Sequence, residues 1–207
     1  MQVLGIDIGG SGIKGAVVDC DNGSLVTERI RIPTPVALKP DQVTLVIQQL
    51  IEQFTWQGLV GCGFPAVIHK GVAWSAANID PDWVGVDVAA LFERHTGLVT
   101  FVLNDADAAG IAEMRMGAGV GLDGTVLVLT FGTGIGSAIF IDGTLLPNTE
   151  FGHIEIRGKD AEKRASENAR QKKTPIMGKL CGSASGILRP HGAVALARPY
   201  HFRRGHG

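Results

Sequence analysis

Two glycine-rich turns about 120 residues apart carry the residue types that a phosphate-bearing ligand needs. The first is Asp7-Ile8-Gly9-Gly10-Ser11-Gly12-Ile13-Lys14-Gly15, and the second is Phe131-Gly132-Thr133-Gly134-Ile135-Gly136-Ser137. Glycines let backbone N–H groups approach and cup phosphate oxygens. Around Gly9, Gly10 and Gly12, Ser11 adds a hydroxyl and Lys14 a positive charge. Asp7, at the end of an apolar run, can hold Mg²⁺ through water, because that ion prefers carboxylate oxygen and keeps several of its waters. Taken singly, each turn reads equally well as an ordinary tight hairpin. The pair carries more weight, since a two-sided phosphate clamp needs two such turns. Neither turn is a P-loop, because GxxxxGK[ST] is absent. Neither is a dinucleotide fingerprint, because a strand rather than a helix follows.

Three further groups have chemical potential. Asn104-Asp105 closes the apolar run Phe101-Val102-Leu103. A carboxylate there, where two lobes would meet, is placed as a general base for a hydroxyl; alternatively Asp105 or Asp107 caps the following helix. In the segment 147–155, Glu150 and His153 can accept from and donate to sugar hydroxyls, or His153 is structural. Asn78 and Asp80, with Trp83, form a polar loop that suits carbohydrate contact, or simply a solvated turn. Cys20 and Cys62 read as small buried side chains.

These groups need strands and helices to hold them. Val3–Ile8 and Ile13–Val18 predict a hairpin around the first turn, with a third strand near Leu25–Ile32. Pro33-Thr34-Pro35 interrupts regular structure. Val43, Val46, Ile47, Leu50, Ile51 and Phe54 recur at three- and four-residue steps and predict an amphipathic helix over Gln42–Phe54. A strand over Leu59–Phe64, a helix over Val86–Thr96, a strand over Thr100–Leu103 and a helix over Ala106–Met116 follow. Thr125–Leu129 and Ser137–Ile141 then repeat the opening strand–turn–strand plan. This order describes an α/β domain of mixed sheets handing over to a second copy near residues 104–118.

The chain has 207 residues, 45% of them hydrophobic, and a formal net charge of −1, enough for a sizeable core. Near-neutral charge gives no electrostatic case for nucleic acid or an anionic membrane. No apolar segment approaches the roughly 18 residues that span a bilayer, and no signal peptide is evident. Three widely separated cysteines, Cys20, Cys62 and Cys181, form no metal spacing or disulfide framework, which points to a reducing cytoplasm. From residue 174 to 207 there is no Asp or Glu, whereas the first 173 residues hold all 20 acids. This tail shows no clear period of 2 or 3.6, so it reads as disordered or as sequence not shaped for the fold.

Six ordered segments together resemble the ROK family of sugar kinases, within the actin-like (ribonuclease H-like) ATPase superfamily: Leu4–Asp19, Gly61–Ile68, Ala76–Trp83, Asn104–Glu113, Phe131–Phe140 and Leu146–Glu155. The similarity is greatest to the family's actinobacterial polyphosphate-using glucokinases and runs to about residue 172. It implies an N-terminal lobe over residues 1–110 and the start of a second lobe over 111–173, followed by the atypical tail at 174–207. It also implies phosphoryl transfer from polyphosphate, ATP or both to the 6-hydroxyl of glucose or a related hexose. Asp7 would stand near Mg²⁺. Gly9, Gly10, Ser11, Gly12 and Lys14, with Gly132, Thr133 and Gly134, would face the donor. Asp105 would be the base, and Asn78, Asn104, Glu150, His153 and Glu162 would meet the sugar. A donor as anionic as polyphosphate calls for extra cations, and Arg157, Lys159, Lys163 and Arg164 offer a basic run, or else a solvated helix face.

Many ROK proteins carry a cysteine-rich zinc motif after the Gly-His pair. Here no cysteine follows Gly152-His153 until Cys181, so no zinc is expected. Relatives suggest a homodimer. A sugar-binding regulator is the competing class, although the winged helix that precedes ROK repressors has no counterpart before the first turn. The abrupt change near Lys173 resembles a shifted reading frame with early termination, which would leave the second lobe incomplete.

Overall fold

The computed structural model describes residues 1–131, 134–155, 158 and 160–161, together with the backbone of 193–197. The chain divides into two compact units, Met1–Ala108 and Ala109–Gly207.

The first unit is built on a five-stranded sheet. β1 (Gln2–Gly9) and β2 (Gly12–Asp19) form the expected hairpin, in register from Gln2↔Asp19 to Gly9↔Gly12. β3 (Ile30–Ile32) pairs antiparallel with β2, and is shorter than its apolar pattern suggests; Leu25 makes only an isolated bridge to Val18. Helix α1 (Pro40–Gln53) leads to β4 (Val60–Phe64), which pairs parallel with β1. A short hairpin, β5 (Ile68–His69) with β6 (Val72–Ala73), precedes helix α2 (Val88–Thr96). β7 (Thr100–Asn104) pairs parallel with β4, completing the order β3-β2-β1-β4-β7. Helix α3 (Asp105–Met116) follows without a loop.

Alternation along the strands sorts the two faces of this sheet. Leu4, Ile6, Ile8, Ile13, Val17, Val60, Cys62, Phe64 and Val102 are buried in one core with Val43, Ile47 and Leu50 of α1 and Val88 and Phe92 of α2. Trp83 is fully buried in the same core. Its indole Nε1–H donates to the Leu38 carbonyl at 2.6 Å, and its ring meets Phe64 and Phe92 edge-on, centroids 4.8 and 6.2 Å away. The expectation that Trp83 offers a surface ring to carbohydrate is therefore corrected. An indole N–H with an internal acceptor loses little by burial, while its large apolar area gains. The opposite face is formed by Gly5, Asp7, Lys14, Arg31, Gly61 and Gly63, which alternate with the core residues.

In the second unit, β8 (Thr125–Phe131) and β9 (Ile135–Ile141) form the second strand–turn–strand, with β10 (Thr144–Leu146) beside β9. Val126, Val128, Ala138 and Phe140 are buried, with Ile111 and Met114 of α3 packed against them. A Cβ at Gly110 would fall 2.7 Å from Ala138 Cβ, so this helix position requires glycine for close approach. A strand in the tail was not expected, yet β11 (Ala193–Ala197) pairs antiparallel with β8 on its free side. Its Ala-Val-Ala-Leu-Ala sequence does alternate, over a span too short to stand out in the surrounding tail. The charged stretch Lys159–Lys173 lies outside the described residues apart from Asp160 and Ala161, and so do Gly132, Thr133, Arg157 and Glu162.

Candidate active site

Three parallel strands, β1, β4 and β7, end at the same edge of the first sheet, the edge at which open α/β sheets bind ligands. Asp7 pairs with Gly63, and Gly63 with Leu103, so the end of β1 stands one strand from the start of α3. Gly63 is the spacer: a Cβ there would lie 3.6 Å from Asp105 Cα and 3.7 Å from Asp105 Cβ. Asp7 and Asp105 thus flank one bare stretch of strand on the face away from the core.

Asp105 is exposed, and its Oδ1 also accepts from the N–H of Ala106 at 2.9 Å. The helix cap proper is Asn104. Its Oδ1 accepts from the N–H groups of Ala106 and Asp107 at 3.0 and 3.1 Å, and its Nδ2–H donates to the Ala66 carbonyl at 3.1 Å. Of Asp105 and Asp107, the two residues considered as caps, Asp105 shares the Ala106 N–H with Asn104. The consequence is chemical. Asn104, 5% exposed, anchors the strand–helix junction, which leaves the Asp105 carboxylate at the surface at the positive end of a helix.

The first glycine turn has two residues, Gly10 and Ser11, between the paired Gly9 and Gly12. Its carbonyls are tied back into the protein. Thr34 Oγ1 donates to Gly9 O, and Arg31 donates to Ser11 O. Gly10 has nothing within 4 Å of an added Cβ, and its φ lies outside the left-handed region. Neither its conformation nor packing among the described residues demands glycine at this position. Gly12 differs, since a Cβ there would overlap the Arg31 guanidinium.

Lys14 faces Asp7 across the hairpin, with Nζ 3.0 Å from Oδ2 and both side chains partly exposed. Pairs of this kind contribute about 0–1 kcal/mol and exchange readily for a better anion. Behind Asp7, burial pushes the Cys62 thiol up, with the Asp7 carboxylate a second cause, so Cys62 is a neutral core group. Asn78 is exposed, while the Asp80 carboxylate accepts from Asp82 N–H at 2.9 Å and caps the short helical turn Pro81–Trp83.

In the second unit, Glu150 and His153 are brought together by a single 3₁₀ turn, Phe151–His153, with His153 Nε2 3.8 Å from Glu150 Oε2. Ser137 of β9, 1% exposed, pins this turn. Its Oγ donates to Thr149 O at 2.6 Å and accepts from Phe151 N–H at 3.0 Å, while Thr149 Oγ1 donates to Ser137 O at 2.9 Å. Gly152 lies so close on the Ile135 carbonyl that no side chain fits there. Of the candidate donor contacts Gly132, Thr133 and Gly134, only Gly134 lies among the described residues. Sequence reasoning missed Ser137 and Arg31. Ser137 is the last residue of the second glycine motif, a position that signals nothing by itself. Arg31 is connected to the first turn only by strand register.

This arrangement of sheet, hairpin turn and strand-end carboxylates belongs to the ROK family, whose model matches residues 3–184. The fold is accordingly the actin-like ATPase fold of the ROK sugar kinases. The chain is 49% identical over 171 residues to the polyphosphate glucokinase of Mycobacterium tuberculosis, covering 82% of this chain and 64% of that one. It is 48% identical to the inorganic polyphosphate/ATP-glucomannokinase of Arthrobacter sp. strain KM, with a TM-score of 0.80 over 83% of this chain and 70% of that one. A ROK glucokinase from Streptomyces griseus, solved with glucose and AMPPNP, is 28% identical with a TM-score of 0.73, over 83% and 59%. The chain thus spans less than two thirds of the length of its mycobacterial relatives, 64% of the protein from Mycobacterium tuberculosis and 52% of that from Mycobacterium leprae. The family match also extends past residue 172, where the resemblance by motif ends.

Proposed function

We propose that this protein is a hexose kinase that transfers a terminal phosphoryl group from polyphosphate or ATP to the 6-hydroxyl of glucose or a related hexose. One observation carries the reading. Asp7, the Gly9–Gly12 turn and Asp105 converge at the carboxyl edge of β1, β4 and β7, the turn presenting a glycine, Gly10, that packing among the described residues does not require. The relatives' substrates support it.

The reading assigns roles as follows. The first turn, with Lys14, cradles donor phosphates, and Gly132, Thr133 and Gly134 form the second cradle. Asp105 accepts the proton of the sugar hydroxyl as that oxygen attacks phosphorus. Its carboxylate is exposed, where a bound hydroxyl can reach it, and the N–H of Ala106 orients it. Asn104 positions Asp105 through the helix cap. Glu150, His153, Asn78 and Glu162 are assigned to sugar hydroxyls. Positioning and charge neutralisation supply most of the rate in such reactions.

Mg²⁺ suits the residues present. No group of three potential metal ligands occurs among the described residues, and Asp7 offers one exposed carboxylate. Mg²⁺ is typically held by one or two carboxylates with substrate phosphates and water, and when bound it neutralises charge on the transferring phosphoryl group. Among the described residues no helix is long and apolar enough to cross a membrane, and Cys20 and Cys62 are free thiols, which supports a reducing cytoplasm as the compartment.

The test supplies glucose, Mg²⁺ and either polyphosphate or ATP, with Asp105→Asn alongside. Hexose 6-phosphate should form, and Asp105→Asn should slow it by about 10²–10⁴-fold. Unchanged turnover in Asp105→Asn overturns the base. Glucose binding with no turnover from either donor overturns the kinase.

A further inference from the structure

A row of side chains crosses the first sheet on its outer face: Asp7, Lys14 and Arg31, each directly opposite the next in register. Two cations side by side across a strand pair are destabilising unless an anion lies between or over them. Asp7 supplies one negative charge, and Lys14 takes it at 3.0 Å. Among the described residues Arg31 forms no ion pair. Its guanidinium instead lies over Gly12 and donates through one nitrogen to the Ser11 carbonyl. Gly12 is the residue that lets it lie there.

From this juxtaposition we infer that Arg31 is a donor-binding residue: it latches the Gly9–Gly12 turn through Ser11 and presents to the phosphate chain that the turn receives a second cation, one that no carboxylate among the described residues pairs with. The inference rests on the phosphotransferase reading above and deepens it on the donor side. The ligand class is a linear polyanion with at least two adjacent phosphates, one at the turn and one against the guanidinium. A guanidinium has five donors in a planar fork. One is committed to Ser11, and the others match the tetrahedral oxygens of a phosphoryl group better than an ammonium does. Because the group is exposed, its contribution falls with ionic strength. Arg31 therefore distinguishes a highly charged donor from a less charged one, and the sugar is indifferent to it.

The experiment measures binding of sodium tripolyphosphate and of glucose by titration calorimetry, at low and at moderate salt. The proteins are the full chain, Arg31→Gln, Arg31→Lys and Gly12→Ala. Arg31→Gln should weaken tripolyphosphate by about ten-fold or more and flatten its salt dependence, with glucose affinity unchanged. Arg31→Lys should recover part of the affinity, and Gly12→Ala, which displaces the guanidinium without removing it, should resemble Arg31→Gln. Equal tripolyphosphate affinity in the full chain and Arg31→Gln overturns the inference, as does a parallel loss of glucose affinity. Absence of tripolyphosphate binding by the full chain overturns it too. If tripolyphosphate binds in an Arg31-dependent way but no hexose phosphate forms, the kinase reading falls while the inference stands. If hexose phosphate forms equally with Arg31→Gln at all donor concentrations, the inference falls and the kinase reading stands.

Discussion

Both units present a glycine turn between two antiparallel strands, and they anchor it differently. In the first unit the turn has two residues, and its carbonyls are held by Thr34 and Arg31. Its sheet rests on a core that includes Trp83, Phe64, Phe92 and the apolar face of α1. In the second unit, β8 and β9 pair in register as far as Phe131↔Ile135. The described core beneath them is Val126, Val128, Ala138 and Phe140. Among the described residues, the Ser137–Thr149 clip holds the segment that carries Glu150 and His153. The two copies of one local plan therefore serve different ends. The first holds a backbone surface still, and the second holds two side chains together.

The contrast has measurable consequences, and the largest concerns the core of the first unit. Trp83→Ala removes a fully buried ring together with its hydrogen bond to Leu38, and should cost about 3–5 kcal/mol in urea unfolding. A loss under 1 kcal/mol would mean that the first turn does not depend on that core. Next, Ser137→Ala leaves Phe151 N–H without its acceptor and should cost about 1–3 kcal/mol. It should raise the KM for hexose while leaving the KM for the donor near its original value. Equal rises in both would erase the division of labour between the clip and the turn. The smallest effect on stability is expected from Gly10→Ala. Its backbone tolerates a side chain and nothing crowds it, so unfolding should shift by no more than about 0.5 kcal/mol. Donor affinity should nonetheless fall, because the methyl group fills the space assigned to phosphate. Unaltered donor affinity in a stable Gly10→Ala protein would reduce the first turn to a hairpin.

The sequence made the strands and helices legible wherever apolar periodicity ran long enough, as in β1, α1, β7 and β8. It was silent on β11, where five alternating residues sit in a patternless tail, and too generous with β3, where Leu25 and Val26 are cut off from the paired segment by Thr27-Glu28-Arg29. Trp83 looked like a surface ring because its neighbours Asp80 and Asp82 are polar, yet the chain turns it inward.

Residue type and order by themselves determined the two glycine turns, the strand ending in Asn104-Asp105, the Glu150–His153 cluster and the family these define. Local chemistry suffices for that, because each motif is contiguous. Tertiary structure decided everything that depends on register and on which partner a polar atom finds. It made Asn104 the residue that reaches two of the first helical N–H groups, those of Ala106 and Asp107, while Asp105 shares only that of Ala106. It placed Gly63 between Asp7 and Asp105, joining residues that lie far apart in the chain. It also laid Arg31 across Gly12, a pairing set by hydrogen bonds between strands and written in no local pattern.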